Sequence, residues 1–378
     1  MEKELWFNPN EFGDRLARVQ AEVRERGLDG VVIFQPETIT WLTGFFTAGH
    51  GYFEIAVVPP DGPPTVLCRD VSRYYADRTC AWNEVAYWSD GDESVDVAVR
   101  LILKTLGVRP RMGIDLDAWP LSAGTYLALR ERLPHVEFAN LGPYLAGLRL
   151  VKSPAEIEYQ RRAGRAAEAG MAAGLAAAQP GATERDVAAA VCSALVRAGS
   201  DTPGPGVLSS GERAYHLHGR ATDRVLALGD TLQLEACPHV RQYNARFMRT
   251  IKVGQASRDD EDLAEILISI QDRALATVRP TVPATVPDSI YREGILGTRR
   301  AMRYTNKTFY SIGLLMDPHG AEPLEATPSS TWLFRPGHVF HTYLLVDGFG
   351  FSETIAVTDS GYERLTNFPR RLLVSEPG

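Results

Sequence analysis

Leu148-Arg-Leu-Val-Lys-Ser-Pro-Ala-Glu156 divides the chain and decides how its second half begins. Ser153 suits a helix N-cap, because its hydroxyl can accept from an unsatisfied first-turn N–H. Pro154 suits the first helical position, where no N–H is needed, and Glu156 stands at the capping-box position. An Ala-rich segment follows. A helix is therefore predicted over residues 155–177, with a domain boundary just upstream, between 148 and 149.

Upstream, residues 12–27 carry Leu16, Val19 and Val23 at helical spacing, and Gly27 closes that helix. Residues 29–34 form a short apolar run of the kind found in buried strands. Residues 54–59 and 64–67 read as strands around the turn Pro60-Asp-Gly-Pro63. Residues 95–106 and 123–133 read as helices, with a strand at 112–115 between them. This alternation predicts an α/β domain over 1–148.

Downstream, Thr183 caps a second helix running to Ala198, and residues 199–211 are rich in turn formers. Strands are predicted at 231–236, 249–253, 339–346 and 354–357, and a helix at 259–278. The prolines between 280 and 287 read as a helix end and loop. The second domain, 149–378, is thus two helices, strands, a helix and strands, and the whole chain is α+β.

Composition limits what such a chain does. Its 378 residues fit two domains, and 44% apolar with 23% charged residues is ordinary globular usage. The net charge of −7 comes with no basic block to neutralise phosphates, which argues against a nucleic-acid partner. No apolar run approaches the ~20 residues that span a bilayer, so no membrane partner is expected. Cys68, Cys80, Cys192 and Cys237 form no CxxC pair. The N-terminal residues lack the apolar core of a secretory leader, and a cytoplasmic protein with reduced thiols is the expectation.

Four residues stand out chemically. His216-Leu-His218 alternates as on a strand, which would turn both imidazoles to one side. Imidazole is suited to proton exchange near neutral pH, but a histidine with a purely structural role is the commoner case. Glu235 and Glu353 lie inside apolar runs, where an ionised carboxylate is costly unless paired. Two readings stand side by side. Either they form structural ion pairs with Arg241, Arg246 or Arg249, or they hold a cationic substrate or act as a general base.

The pattern around these residues narrows the choice. Leu150 to Glu156 before a long helix, Gly229-Asp-Thr-Leu-Gln-Leu-Glu235, Arg249-Thr250 with Val253-Gly254, Tyr310-Ser-Ile-Gly313, Pro336-Gly-His-Val-Phe340, Ser352-Glu-Thr-Ile355 and Gly361 to Thr366 with Phe368-Pro-Arg370 recur in order. Together they resemble the creatinase, prolidase and aminopeptidase P family (peptidase M24) over nearly the whole chain. The resemblance implies a creatinase-like N-terminal domain, a C-terminal pita-bread catalytic domain and a homodimer in which one subunit's N-terminal domain caps the other's site. His50 and Tyr52 are the candidates for that cap, while Trp41 and Phe45 read as core aromatics.

Metal-dependent members of that family hold two divalent ions with two Asp, one His and two Glu. Matched block by block, those positions carry Glu235, Arg246 eleven residues on, Tyr310, Tyr343 and Glu353. A guanidinium and two phenols are poor partners for divalent ions, so neither metal nor other cofactor is expected. The resemblance is nearest to the metal-independent branch: ectoine hydrolases, through Glu235, Arg241, Tyr243, the Tyr310 block and Phe340-His341, and then creatinase, through His218.

It implies hydrolysis of a C–N bond in a small amidine- or guanidine-type amino-acid derivative, zwitterionic or cationic. His218 would shuttle the proton, Glu235 and Glu353 would grip the cationic N–H groups, and Arg241 or Arg246 would bind a carboxylate. Tyr243, Tyr310, His341 and Tyr343 would line the substrate. An Xaa-Pro peptidase and an inactive small-molecule-binding homologue are the competing expectations.

Overall fold

A computed structural model describes residues 2–376. The chain separates into two compact units, Met1–Arg149 and Leu150–Gly378.

The first unit contains α1 (Pro9–Glu25), β1 (Gly30–Ile33), α2 (Pro36–Thr43), β2 (Ile55–Val58), β3 (Thr65–Arg69), α3 (Arg73–Thr79), β4 (Val85–Trp88), α4 (Ser94–Leu106), β5 (Arg111–Ile114), α5 (Ala123–Arg132), β6 (Glu137–Asn140) and α6 (Gly142–Leu148). Its six strands form one mixed sheet in the order β4-β3-β2-β1-β5-β6. β1 is buried along its whole length, as the unbroken apolar run predicts. Trp41 and Phe45 are each 1% exposed and belong to this unit's core.

Glu54, just before β2, is 6% exposed and lies near the Cys68 thiol. Burial pushes its carboxyl up from 4.5 to about 8. A raised carboxyl is protonated in the folded chain, so its contribution is complete below about pH 4.5 and is lost as pH rises through 8. Wild-type stability is expected to fall by about 3–4 kcal/mol from this group between pH 5 and 8. Glu54→Gln should remove that slope in urea unfolding at the two pH values. Parallel losses in both proteins would refute the assignment.

The second unit contains α7 (Pro154–Ala177), α8 (Glu184–Arg197), β7 (Pro205–Ser210), β8 (Thr231–Ala236), β9 (His239–Val240), β10 (Tyr243–Asn244), β11 (Phe247–Lys252), α9 (Arg258–Leu275), α10 (Thr285–Gly297), β12 (Phe309–Ser311), β13 (Glu325–Ala326), β14 (Val339–Val346), β15 (Phe349–Val357), β16 (Tyr362–Arg364) and β17 (Leu373–Val374). The capping box at Ser153 and Glu156 is fully formed, and Thr183 forms a second one with Asp186. Pro280 and Pro283 lie in the connection after α9, as the sequence suggests, but the last residues of that segment, from Thr285 on, already open α10. Pro287 sits in that helix's first turn, where a missing N–H is tolerated.

β17-β11-β8-β7 and β13-β12-β14-β15-β16 are the unit's two larger sheets. α7 and α8 cover the first through Val187, Val191, Leu232, Leu234, Phe247 and Ile251. α9 and α10 cover the second through Leu267, Tyr291, Phe340, Leu344 and Ile355. The uncovered faces meet at a polar seam. The Ser352 hydroxyl accepts from Met248 N at 2.6 Å, and the Thr354 hydroxyl accepts from Arg246 N at 2.9 Å. The candidate site lies along this seam.

Candidate functional site

Glu235 is the second-last residue of β8 and stands opposite Met248 of β11. Its side chain is 3% exposed and meets Arg246 in a two-point pair: Nε donates to Oε1 at 2.9 Å and Nη2 to Oε2 at 3.0 Å. Val207 N adds a longer bond to Oε2 at 3.4 Å. Burial pushes the Glu235 carboxyl up, but the Arg246 charge and the Arg246 hydrogen bonds outweigh it, leaving the group at about 2. The pair is thus ionised on both sides. The close packing explains Gly206: a Cβ there would lie 2.5 Å from both Glu235 Oε2 and Cys237 Sγ.

Three aromatic rings wall the pair. His341 and Tyr343 of β14 stack at 5.4 Å with an 8° interplanar angle, and Tyr310 of β12 meets His341 edge-on at 4.9 Å. The Arg246 guanidinium lies 5.5 Å from the Tyr310 ring centre and Lys307 Nζ 5.0 Å from it. His341 Nε2 is 3.7 Å from Glu235 Oε1, too long for a hydrogen bond, and neither ring nitrogen has a hydrogen-bond partner. Burial and the Arg246 charge hold this imidazole at about 3, so it is neutral at pH 7. Burial pushes Tyr343 up to about 12 and Tyr310 well above its ordinary range, which keeps both phenols as neutral O–H donors.

The structure therefore brings together Glu235, Arg246, Tyr310, His341 and Tyr343. It does not bring Glu353 to them. The β14–β15 register pairs Tyr343 with Ser352 and Thr342 with Glu353, so Glu353 takes the opposite face. That is the face on which Thr342 bonds the Tyr291 hydroxyl of α10 at 2.7 Å. The Glu353 carboxylate accepts from Arg249 Nη2 at 2.6 Å and from the Thr366 hydroxyl at 2.6 Å, with Arg370 Nε at 3.3 Å. For Glu353 the ion-pair alternative describes the arrangement, with Arg249 as the partner.

Tyr243 is fully buried, donates to Glu156 Oε1 at 2.7 Å and stacks on Tyr159, away from the cluster. Arg241 is exposed at the tip of the β9–β10 hairpin, where it and Gln242 both take left-handed backbone angles. His50 and Tyr52 belong to the first unit. The His50 ring meets Trp119 edge-on at 6.4 Å, and Tyr52 is 58% exposed with Arg69 over its ring.

His216 and His218 are not on a strand. They follow the 3₁₀ turn Gly211–Tyr215, and His218 has φ 68°. A left-handed residue breaks the alternation on which the shared-face expectation depended. His218 is exposed, but Leu217 before it packs against the cluster containing Tyr310 and Tyr343.

Cys237 and His239 belong to this neighbourhood and were not singled out from the sequence. Cys237 follows Glu235 by two residues and feels its carboxylate and Arg246, while burial pushes the thiol upward, so it stays protonated. His239, held at about 4 by burial, senses Asp317 and Arg246. The period-two spacing Glu235, Cys237, His239 was the available signal.

Two divalent ions do not fit this donor set. Arg246 places a cation on the carboxylate that would have to bridge or ligate them, and Tyr310 and Tyr343 keep their protons. Among the described residues no group of three or more His, Cys, Asp or Glu side chains is arranged to hold a metal ion.

Comparison with known proteins agrees with this architecture. The model of metallopeptidase family M24 matches residues 158–359, and that of the creatinase/prolidase N-terminal domain matches residues 15–151. The chain is 26% identical over 395 residues to an ectoine hydrolase of Halomonas elongata, covering 98% of each. It is 25% identical over 366 residues to an Xaa-Pro dipeptidase of Pyrococcus furiosus, covering 95% of this chain and 99% of that one. Among solved structures, a prolidase from Thermococcus sibiricus superposes with TM-score 0.85 at 21% identity, covering 96% of this chain and 99% of that one. The M24 match alone spans more than half of the residues, and the chain belongs to metallopeptidase family M24, an α+β protein with a creatinase/prolidase N-terminal domain before the pita-bread fold.

Proposed function

We propose that this chain is a metal-independent hydrolase of a C–N bond in a small amidine- or guanidine-type amino-acid derivative. The observation that carries the reading is the guanidinium of Arg246 seated on Glu235 at the centre of the site. It supplies a permanent positive charge where a two-metal enzyme would need ions. The similarity to an ectoine hydrolase over 98% of both chains supports the same direction.

Arg246 also changes what the site selects. Glu235 is already neutralised, so it is poorly suited to gripping a second cation. A guanidinium has five N–H groups, and Glu235 and Gly320 O take three of them. The others, with the Tyr310 and Tyr343 hydroxyls, are donors suited to a substrate carboxylate or to oxygen that gains charge in the transition state. A zwitterionic substrate fits better than a purely cationic one.

In this reaction water adds to the electrophilic amidine carbon. One water proton passes to His218 as the new C–O bond forms, His218 delivers it to the leaving nitrogen as the C–N bond breaks, and the remaining hydroxyl proton goes to solvent as the carbonyl forms. A cyclic amidine would open to an N-acyl amine. His341, neutral and 3.7 Å from Glu235, would accept a substrate N–H.

The test is turnover of ectoine, hydroxyectoine, creatine and an Xaa-Pro dipeptide by protein treated with EDTA and checked for residual metal by plasma spectrometry. Hydrolysis of a carboxylate-bearing amidine or guanidine, unaffected by chelation, is expected. Chelator-sensitive cleavage of the dipeptide with two bound equivalents of metal would overturn the reading.

A further inference from the structure

We infer that Glu184 is a positioning residue that holds the His218 loop in its working geometry. The inference rests on the assignment of His218 as proton carrier. Glu184 is the first residue of α8, fully buried, and distant from His218 in sequence. Its carboxylate accepts five hydrogen bonds, and all come from the segment that carries His218. Oε1 takes the Ser210 N–H at 2.7 Å and the Ser210 hydroxyl at 2.7 Å. Oε2 takes the Thr222 N–H at 2.8 Å, the Thr222 hydroxyl at 2.7 Å and Arg213 Nη1 at 2.7 Å.

Ser210 and Thr222 are the two ends of the loop, so one carboxylate closes it as a staple. Arg213 extends the grip inward: Nη2 donates to Arg220 O, two residues beyond His218. The side next to His218 is fixed as well. Leu208 N donates to Gly219 O at 3.1 Å, and a Cβ on Gly219 would lie 2.7 Å from the Ser209 side chain. His218 is thereby caught between Leu217, packed against the tyrosine cluster, and Gly219, pressed on β7. Its left-handed backbone follows from these two anchors. A loop without the staple would relax that angle and swing the imidazole away from the reacting nitrogen.

Burial of Glu184 is opposed by these bonds, which hold its carboxyl below the ordinary range, so it accepts all five as an anion. A glutamine offers one acceptor oxygen and turns an NH₂ toward the other donors. Glu184→Gln is therefore expected to speed amide hydrogen exchange across residues 211–222 by about 10-fold or more, with α7 and β8 unchanged. On ectoine, kcat should drop about 10- to 100-fold while KM moves far less, as for a misplaced proton carrier. In a His218→Ala background the same substitution should cost nothing further in kcat.

Thr222→Val keeps the side-chain shape and the Thr222 N–H bond to Glu184 but removes the hydroxyl that donates to Glu184 and accepts from Arg213 Nη1 and Arg224 N. It should give a smaller change of the same kind and guards against a variant that fails to fold. Unchanged exchange across 211–222, or an equal kcat loss with and without His218, overturns the inference. If His218→Ala itself keeps full activity, the proton-carrier assignment falls, while the exchange measurement still decides the staple by itself.

Discussion

Arg246→Met is expected to destabilise the second unit by about 3–5 kcal/mol at pH 7, the cost of leaving a buried carboxylate without its partner. Glu235 is 3% exposed in the folded chain, so water cannot replace the lost guanidinium. The effect carries a sign that separates it from ordinary loss of packing. In the wild type the Glu235 carboxyl lies at about 2, below its ordinary 4.5. Its stabilisation is complete above about pH 4.5 and fades as pH falls toward 2. Without Arg246, burial alone acts on the group and pushes its pKa upward.

The variant is then penalised most at neutral pH and recovers relative to wild type on acidification, as Glu235 takes up a proton. Adding Glu235→Gln to Arg246→Met should restore much of the loss, because no charge is then left buried. Urea unfolding of the four proteins at pH 5 and pH 7.5 gives the full cycle. Additive losses with no dependence on pH would show that the pair is incidental to the site. Activity on any C–N substrate should disappear with Arg246 whatever the stability.

That pair shows how far residues alone carry the reading. Glu235 stood out because a carboxylate in an apolar strand demands a partner, and three arginines were available at plausible range. Choosing Arg246 required the β8–β11 hairpin register, which sets Glu235 opposite Met248. Glu353 shows the limit more sharply. Tyr343 and Glu353 belong to adjacent strands of one hairpin, and the tight turn at Asp347-Gly348, with φ 53° and 82°, decides which residues face each other. A one-residue shift would put Glu353 beside Tyr343; the actual register sends it to Arg249 on the other face.

Local signals fared better. The capping boxes at Ser153 and Thr183 are determined within four residues, and both form. The start of α10 was hidden because Pro287, following Pro280 and Pro283, reads as part of a loop, while its position in the first turn makes it harmless. Cys237 escaped because cysteine spacing speaks only to metal and disulfide motifs; it follows directly on the end of β8, two residues past Glu235.

His218→Ala is expected to lower kcat by about 10²–10⁴-fold, the range for a positioned proton carrier, with stability nearly unchanged because the side chain is exposed. A second substitution makes the result diagnostic. His218 holds φ 68°, a conformation that costs most residues on the order of 1 kcal/mol and glycine almost nothing. His218→Gly should therefore be at least as stable as His218→Ala, the reverse of the order expected where the backbone is helical or extended. Both variants should be equally slow.

Since the loop is exposed, added imidazole has access to the vacated position and should restore part of the rate, in proportion to its neutral fraction. Rescue that rises with pH through about 7 would follow the free base of imidazole, as proton acceptance from water requires. Full kcat in His218→Ala with EDTA present would move the proton transfer elsewhere. His341, buried, neutral at pH 7 and without a hydrogen-bond partner, would then be the imidazole left in the cluster to perform it.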